Sequence, residues 1–370
     1  VAALIGCGVL TGIGTPVEIR DDVEIESPRA GEVKLRVAAS GVCHSDLSVQ
    51  NGTIMSPLPC ILGHEGAGEI VEVGEGVTSV APGDHAVVSW VPQCGQCWFC
   101  KKGQRHLCEK GSIGAITGGM LDGTPRLSSG GAPLFQMAGA GTFSEYIILP
   151  EIATVKIDPD VDLRVAALIG CGVLTGVGAA LNTARIAEGD TVAVIGCGGV
   201  GLNVIQGARV AGAAEVIAVD TAAAKLDMAK TFGATHSVDA SRNAVGGVME
   251  ATGQRGADVV FEVVGSGPTI EAAVTMTRRG GQTVLVGVPR MDVMLTVPAF
   301  IGMLVAEKTI SGCWYGSSDV SRDVPRIINL WREGRLRLEE LISQEITLEG
   351  IESAFQAMGT GEIARSVIVY

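Results

Sequence analysis

The pattern of hydrophobic positions changes character about midway along the chain. Up to about residue 170, apolar runs are short and broken by Gly and Pro, as at 33–39, 67–73 and 85–91. Such runs predict strands of an irregular β-rich domain. Residues 111–142, rich in Gly and Ser and holding Pro125 and Pro133, predict a long loop or excursion. After about residue 175, apolar runs at 191–195, 215–219, 259–263 and 283–286 alternate with helical stretches. That alternation predicts βαβ units and a parallel sheet. An amphipathic run at 324–331 and a final strand at 365–369 complete the expected elements.

Residues 1–14, VAALIGCGVLTGIG, repeat residues 165–178, VAALIGCGVLTGVG, at all but one position. Two copies do not make a solenoid. The copy is either a duplicated strand-forming segment or foreign to the amino terminus, and Cys7 and Cys171 cannot share one structural role.

Composition narrows the class. With 370 residues, 47% hydrophobic and 18% charged, the chain predicts a well-packed globular protein of two domains. Fifty-two glycines and few aromatics suit tight turns around a buried parallel sheet. The net charge of −13 repels phosphate backbones, so no nucleic-acid partner is expected. No apolar run is expected to span a bilayer, and segment 1–14 has no basic flank of a signal peptide, so no membrane partner is expected. Four of the ten cysteines crowd between Cys94 and Cys108, which reads as metal ligation in a cytoplasmic protein rather than disulfides.

Three constellations carry candidate chemistry. Cys94, Cys97, Cys100 and Cys108 can close a tetrahedron around Zn²⁺ with no open position, which makes the site structural. An iron–sulfur cluster is the competing reading, but the long last gap and the lack of Cys-Pro depart from the ferredoxin spacing. Lys101, Lys102 and Arg105 are expected to offset thiolate charge. The second constellation is scattered over Cys43-His44-Ser45-Asp46, Gly63-His64-Glu65 and Gly170-Cys171-Gly172. Two cysteines and a histidine can form a zinc site with an open fourth position. The third is Gly196-Cys197-Gly198-Gly199-Val200-Gly201, after an apolar strand and before a helix, with Asp220 ending the next strand. That is the context of a dinucleotide-binding turn.

Together these motifs resemble the zinc-containing medium-chain alcohol dehydrogenases, the liver-type and class III-like enzymes and their bacterial relatives. The resemblance rests on GVCHSD at 41–46, GHEGAG at 63–68, CGQCWFCKKGQRHLC at 94–108, GCGGVG at 196–201 and the segment 362–369. It implies an α/β protein: a doubly wound parallel-sheet (Rossmann) coenzyme domain at 175–314, and a β-rich GroES-like catalytic domain at 1–174 and 315–370, with the site in the cleft between them. It implies NAD and two Zn²⁺ per chain, one catalytic on Cys43, His64 and Cys171, one structural. Asp46 and Glu65 would support the ligands, and Ser45 would take the substrate hydroxyl proton. Thr175, Gly196, Gly198, Gly199, Val200, Gly201, Asp220, Lys225 and Arg365 would meet the coenzyme. His44 stands where many members place an arginine against the pyrophosphate, and Ser48 where the proton relay usually ends in histidine. The pocket wall would include Trp90, Ile113, Met137, Ala138 and Val288. The implied activity is oxidation of a primary alcohol, aromatic or medium-chain, to the aldehyde, in a homodimer joined through coenzyme domains. The alternatives are a thiol-dependent formaldehyde dehydrogenase (nitrosothiol reductase) of the same family and a non-catalytic binding protein.

Overall fold

The computed structural model describes residues 3–360 and 364–370. Val1, Ala2 and residues 361–363, which include part of the 362–369 motif, lie outside the described residues. The chain divides into two compact units. One comprises the chain through Gly172, Asp319–Ile327 and the chain from Leu338 onward. The other comprises Val173–Ser318 and Ile328–Arg337.

The first unit is built from two β-layers. A closed barrel runs β1 (Ala3–Leu10), β2 (Glu18–Ile25), β7 (Leu127–Ser129), β8 (Ala132–Gln136) and β4 (Cys60–Ile61), which returns to β1. A seven-stranded sheet is ordered β10 (Thr154–Ile157), β6 (His85–Val88), β5 (Glu65–Val73), β3 (Glu32–Val42), β18 (Arg365–Val369), β17 (Ile342–Ile346), with β9 (Tyr146–Pro150) also on β3. β1 turns Ile5, Cys7 and Val9 inward against Val23, Ile25, Leu127 and Leu134 while Leu4 faces out, the period-two pattern of a half-buried strand. The expected excursion at 111–142 is therefore not a loop throughout. It holds a short helix, Gly111–Thr117, and two barrel strands, one only three residues long and the other interrupted by Pro133.

The second unit holds a six-stranded, wholly parallel sheet ordered β13 (His236–Asp239), β12 (Glu215–Asp220), β11 (Thr191–Ile195), β14 (Ala257–Glu262), β15 (Thr277–Leu285), β16 (Thr309–Gly312). The order reverses between β11 and β12 on one side and β14 on the other, the doubly wound arrangement expected. Every residue of β11 is buried, as suits a parallel strand covered on both faces. Residues 328–337 belong here and not, as expected, with the catalytic unit. Ile328 and Leu330 are buried, and the Gln206 amide grips the Arg337 backbone from both sides, accepting from its N–H at 2.6 Å and donating to its carbonyl at 3.3 Å.

Against expectation, one helical stretch, Leu163–Thr183, is long and apolar enough to cross a membrane. Its glycines masked that length in the sequence. Of its most apolar window 83% is buried, which makes it a core helix. The same stretch contains the second copy of the repeat, folded as helix, whereas residues 3–10 of the first copy form β1. The second copy is thus not a strand-forming segment here.

Candidate active site

Asp46 organises the first unit's centre. Cys43 precedes the short helix His44–Gln50, and the Asp46 carboxylate turns back to accept the Cys43 N–H at 2.8 Å. Its other oxygen accepts the Gly63 N–H at 3.1 Å and lies 3.1 Å from His64 Nδ1. Gly63 is left-handed at φ 88°, and a Cβ there would strike Phe143 and Thr142, so only glycine turns the chain into His64. With Nδ1 held by a carboxylate, Nε2 is left as the ligand nitrogen. Cys171 arrives from a widened helical turn, Ile169–Val173. A Cβ on Gly172 would lie 2.0 Å from an Arg365 guanidinium nitrogen, so glycine there admits the arginine.

The result is a buried group of four: Cys43, His64, Glu65 and Cys171 place one ligand atom each within 4.8 Å of one another. The Cys43 thiol is held well below its usual range, first by the hydrogen bond from Cys171, with burial opposing and Arg365 and His64 assisting. That same bond and burial push Cys171 well above it. Burial would lower His64, but the Asp46 carboxylate outweighs it and raises the imidazole. Burial pushes Glu65 up to about 7 against the pull of Arg365. Arg365 lies 3.2 Å from Glu65 Oε1 as an ion pair, yet neither Glu65 oxygen has a hydrogen-bond partner. Two sulfurs, an oriented imidazole and an unsatisfied buried carboxylate are the donor chemistry of a divalent soft-to-borderline cation such as Zn²⁺.

Arg365 was expected at the coenzyme pyrophosphate. Within its unit it is buried behind the ligand group, donating to the Val42 carbonyl at 3.2 Å. The Glu65–Arg365 pairing, across three hundred residues, has no signal in the sequence. Ser45 and Ser48 are half-buried on the short helix, and His44 is exposed. Trp90 stands edge-on to His64 with ring centroids 6.1 Å apart. Of the expected pocket wall, Met137 belongs to a hydrophobic core with Leu62 and Phe143, Ile113 and Ala138 are half-buried, and Val288 is exposed in the second unit.

Cys94, Cys97, Cys100 and Cys108 also converge, with sulfurs within 4.8 Å of one another. Backbone N–H groups point at them: Cys94 N–H to Cys108 Sγ at 3.3 Å, Cys97 N–H to Cys94 Sγ at 3.4 Å, and Cys100 N–H to Cys97 Sγ at 3.5 Å. Such a nest suits thiolates and hence a closed metal site. Arg105, expected to balance thiolate charge, pairs with Asp319 at 3.3 Å, and Lys102 lies over the Trp98 ring.

In the second unit, Gly196 turns left-handed at φ 92°, and a Cβ on Gly201 would sit 1.9 Å from the Gly196 carbonyl oxygen. Around Gly198, at the start of helix Gly199–Ala211, nothing lies within 4 Å of a Cβ position. That clearance at a helix N-terminus fits a pyrophosphate. Gly199 and Val200 are half-buried in the first turn. Asp220 accepts the Cys197 N–H at 2.8 Å and the Ala222 N–H at 3.0 Å, tying the glycine turn to the end of β12. Lys225 is half-buried one turn beyond. Thr175 is half-buried on Leu174–Gly178, which packs on Gly199–Ala211 where Gly176 meets Asn203.

Residues 29–159 match the alcohol dehydrogenase GroES-like domain, and residues 199–332 the zinc-binding dehydrogenase family. An NDMA-dependent alcohol dehydrogenase of Amycolatopsis methanolica is 39% identical over 98% of each chain. An S-(hydroxymethyl)glutathione dehydrogenase of Paracoccus denitrificans is 39% identical over 96% of this chain and 97% of its own. Among solved structures, the benzyl alcohol dehydrogenase of Acinetobacter calcoaceticus superimposes with a TM-score of 0.93 at 29% identity, covering 99% of both chains. Joined to the clustered cysteines and the doubly wound sheet, full-length similarity at this level means that the chain belongs to the zinc-containing medium-chain alcohol dehydrogenase family and is an enzyme.

Proposed function

We propose that the chain oxidises a primary alcohol to its aldehyde with NAD, using one catalytic and one structural Zn²⁺. The observation that carries this reading is the buried convergence of Cys43, His64, Glu65 and Cys171. Bound zinc would lower the pKa of an alcohol hydroxyl toward neutrality, and NAD would accept the hydride. Cys43, Cys171 and His64 would hold the metal, and Asp46 fixes the imidazole's tautomer. Ser45 would take the alcohol proton and pass it outward along the helix face that Ser48 shares three residues on. Gly198 to Gly201 would receive the pyrophosphate at the N-terminus of their helix. Asp220 and Lys225 would take the adenosine ribose, and Thr175 would flank the nicotinamide. Trp90, edge-on to His64, narrows the room beside the ligands and favours a slender substrate.

A second reading is oxidation of a hydroxymethyl-thiol adduct. The 39% identity to an S-(hydroxymethyl)glutathione dehydrogenase favours it as much as the first. An alcohol panel followed at the NADH absorbance, with formaldehyde plus and minus glutathione as separate arms, tests both. Turnover of formaldehyde only with glutathione selects the second, and no NAD reduction in any arm refutes both. We also place a homodimer contact on the second unit. Met291, Met294, Phe300, Ile301 and Leu304 are all more than 60% exposed there, and β16 is an open sheet edge. Ten described cysteines with no disulfide among them suit a reducing compartment such as the cytoplasm.

A further inference from the structure

The six-stranded sheet carries a buried carboxyl that this scheme does not use. Glu262 ends β14, in register with Ile195 of β11 and Leu285 of β15, and is 0% exposed. Its Oε1 accepts three hydrogen bonds: from Val264 N–H at 2.9 Å, Gly265 N–H at 2.8 Å and Thr269 Oγ1 at 2.7 Å. Oε2 is equally buried and has no hydrogen-bond partner. A buried carboxyl with one idle oxygen is costly, so a packing role alone would be better filled by an apolar side chain.

What Oε1 holds is a particular surface. The turn at Val264 and Gly265 is fixed with Gly265 left-handed at φ 83°. Val264 stands against the glycine turn, where a Cβ on Gly196 would meet its Cγ2 at 2.7 Å. On the other side, a Cβ on Gly287 would meet the Gly265 nitrogen at 2.3 Å, and one on Gly265 would meet the Val288 carbonyl at 2.5 Å. The Gly265 and Gly287–Val288 segments are thus packed backbone to backbone, and the Val264 side chain lies directly against the glycine turn, so a shift of the one turn is passed to the other. Thr269 extends the anchor into the cap of helix Gly267–Met276, where it bonds Ser266 Oγ at 2.7 Å. Val264 and Val288 remain 50% and 51% exposed beside the glycine turn. In a doubly wound sheet the dinucleotide lies at this edge.

We propose that Glu262 is a positioning residue for the coenzyme: through Oε1 it fixes the Val264–Gly265 turn against the glycine turn and so sets the valine floor on which the nicotinamide half rests. The inference rests on the NAD reading above. It is tested on the zinc-loaded full chain by calorimetric titration with NAD, beside KM for NAD and for alcohol, melting temperature and zinc content. Glu262→Gln keeps an oxygen for all three donors and puts its amide where Oε2 has no partner, so the Kd for NAD should stay within about twofold, less than one net hydrogen bond. Glu262→Ala frees two N–H groups and should raise that Kd about tenfold, with KM for alcohol and zinc content little changed. Thr269→Val, losing one donor, should raise it about threefold and serves if the alanine variant does not fold. A lowered melting temperature in Glu262→Ala with the NAD Kd unmoved would overturn the proposal. So would a Glu262→Gln variant as weak as Glu262→Ala, or a Thr269→Val variant of unchanged affinity where the alanine variant does not fold. A wild-type chain that binds no NAD would instead overturn the reading beneath it.

Discussion

Replacing Asp220 by serine separates two roles that the structure gives one carboxylate. Its two oxygens accept the Cys197 and Ala222 N–H groups, so it braces the glycine turn and caps the next helix. Each oxygen keeps a second lone pair for a ribose hydroxyl of NAD. In NADP one of those hydroxyls carries a phosphate, and the carboxylate loses a donor and meets a like charge. Such juxtaposition costs several kcal/mol, and about 2.7 kcal/mol of it already gives a hundredfold discrimination. Residues 221–224, Thr-Ala-Ala-Ala, include no arginine to clasp the phosphate, and Lys225 offers it only a single ammonium without the planar fork. Asp220→Ser retains one short acceptor and gives up one charged hydrogen bond, a loss of about 1.5–3 kcal/mol in stability. The wild type should therefore prefer NAD strongly, and Asp220→Ser should shift the NAD to NADP ratio of kcat/KM by about thirtyfold to a hundredfold toward NADP. Steady-state kinetics with both coenzymes and a urea melt measure the two effects separately. If the variant melts earlier while the ratio stays put, Asp220 is only a brace and a cap, and the ribose assignment is wrong.

The other predictions address the glycine turn, the metals and a buried ion pair. Gly198→Ala meets nothing within 4 Å, so it should leave the melting temperature within about 1–2 °C yet raise KM for NAD about tenfold. Gly201→Ala, driven 1.9 Å from the Gly196 carbonyl, should destabilise by more than about 3 kcal/mol in a urea melt. Metal analysis should find two zinc ions per chain. Cys43→Ala should lose one zinc and all measurable turnover while keeping its melting temperature, whereas Cys97→Ala should lose stability first. Arg126, with its side chain 1% exposed, donates to both oxygens of buried Glu32. Arg126→Ala should cost about 3–5 kcal/mol in denaturant unfolding, and Arg126→Met with Glu32→Leu should recover most of it. Arg126 also overcomes burial to hold Asp122 down at about 2. That depressed carboxyl adds stability above its ordinary range near pH 4, lost as the pH falls toward 2, so the acid limb of the stability curve should flatten in Arg126→Ala.

What was legible in the sequence was local. Four cysteines within fifteen residues, a glycine turn between a strand and a helix, and Asp220 at the next strand's end each follow from spacing along one or two elements. What escaped was set by pairing across the chain. Glu65 meets Arg365, Arg105 meets Asp319, and Gln206 draws residues 328–337 into the second unit. Nothing in the neighbouring residues of any of these announces its partner. The strands Leu127–Ser129, His236–Asp239 and Thr309–Gly312 escaped for a different reason. They are three or four residues long and polar, and they exist because a sheet edge beside them offers hydrogen bonds. Glu262 looks in sequence like any acid at the end of a strand, and only its three donors and idle oxygen set it apart.

The repeated segment shows how far local sequence decides. Ile5, Cys7 and Val9 have their copies in Ile169, Cys171 and Val173, yet the first set is strand and the second helix. Propensity cannot separate two nearly identical strings, so the difference must come from outside them. Asp162, just upstream of the second copy, caps a helix by accepting the Arg164 N–H at 2.9 Å, and Ala179, Ala180 and Leu181 carry the helix on beyond it. The first copy is followed instead by Thr15 and Pro16, and proline disfavours a helical residue before it. It then finds open edges on β2 and β4 and buries one face in the barrel. As a strand it shows alternate residues to the core, and Cys7 faces Ser144 at 3.1 Å. As a helix it buries nearly every residue, and the widened turn at Ile169–Val173 swings Cys171 toward Cys43 and His64. Burial, with the Ser144 hydroxyl opposing it and the Glu145 and Asp22 carboxylates adding to it, pushes Cys7 up to about 12, so it stays a protonated packing group. Of two cysteines in the same local sequence, one can serve as a metal ligand and the other cannot, and tertiary surroundings make that choice.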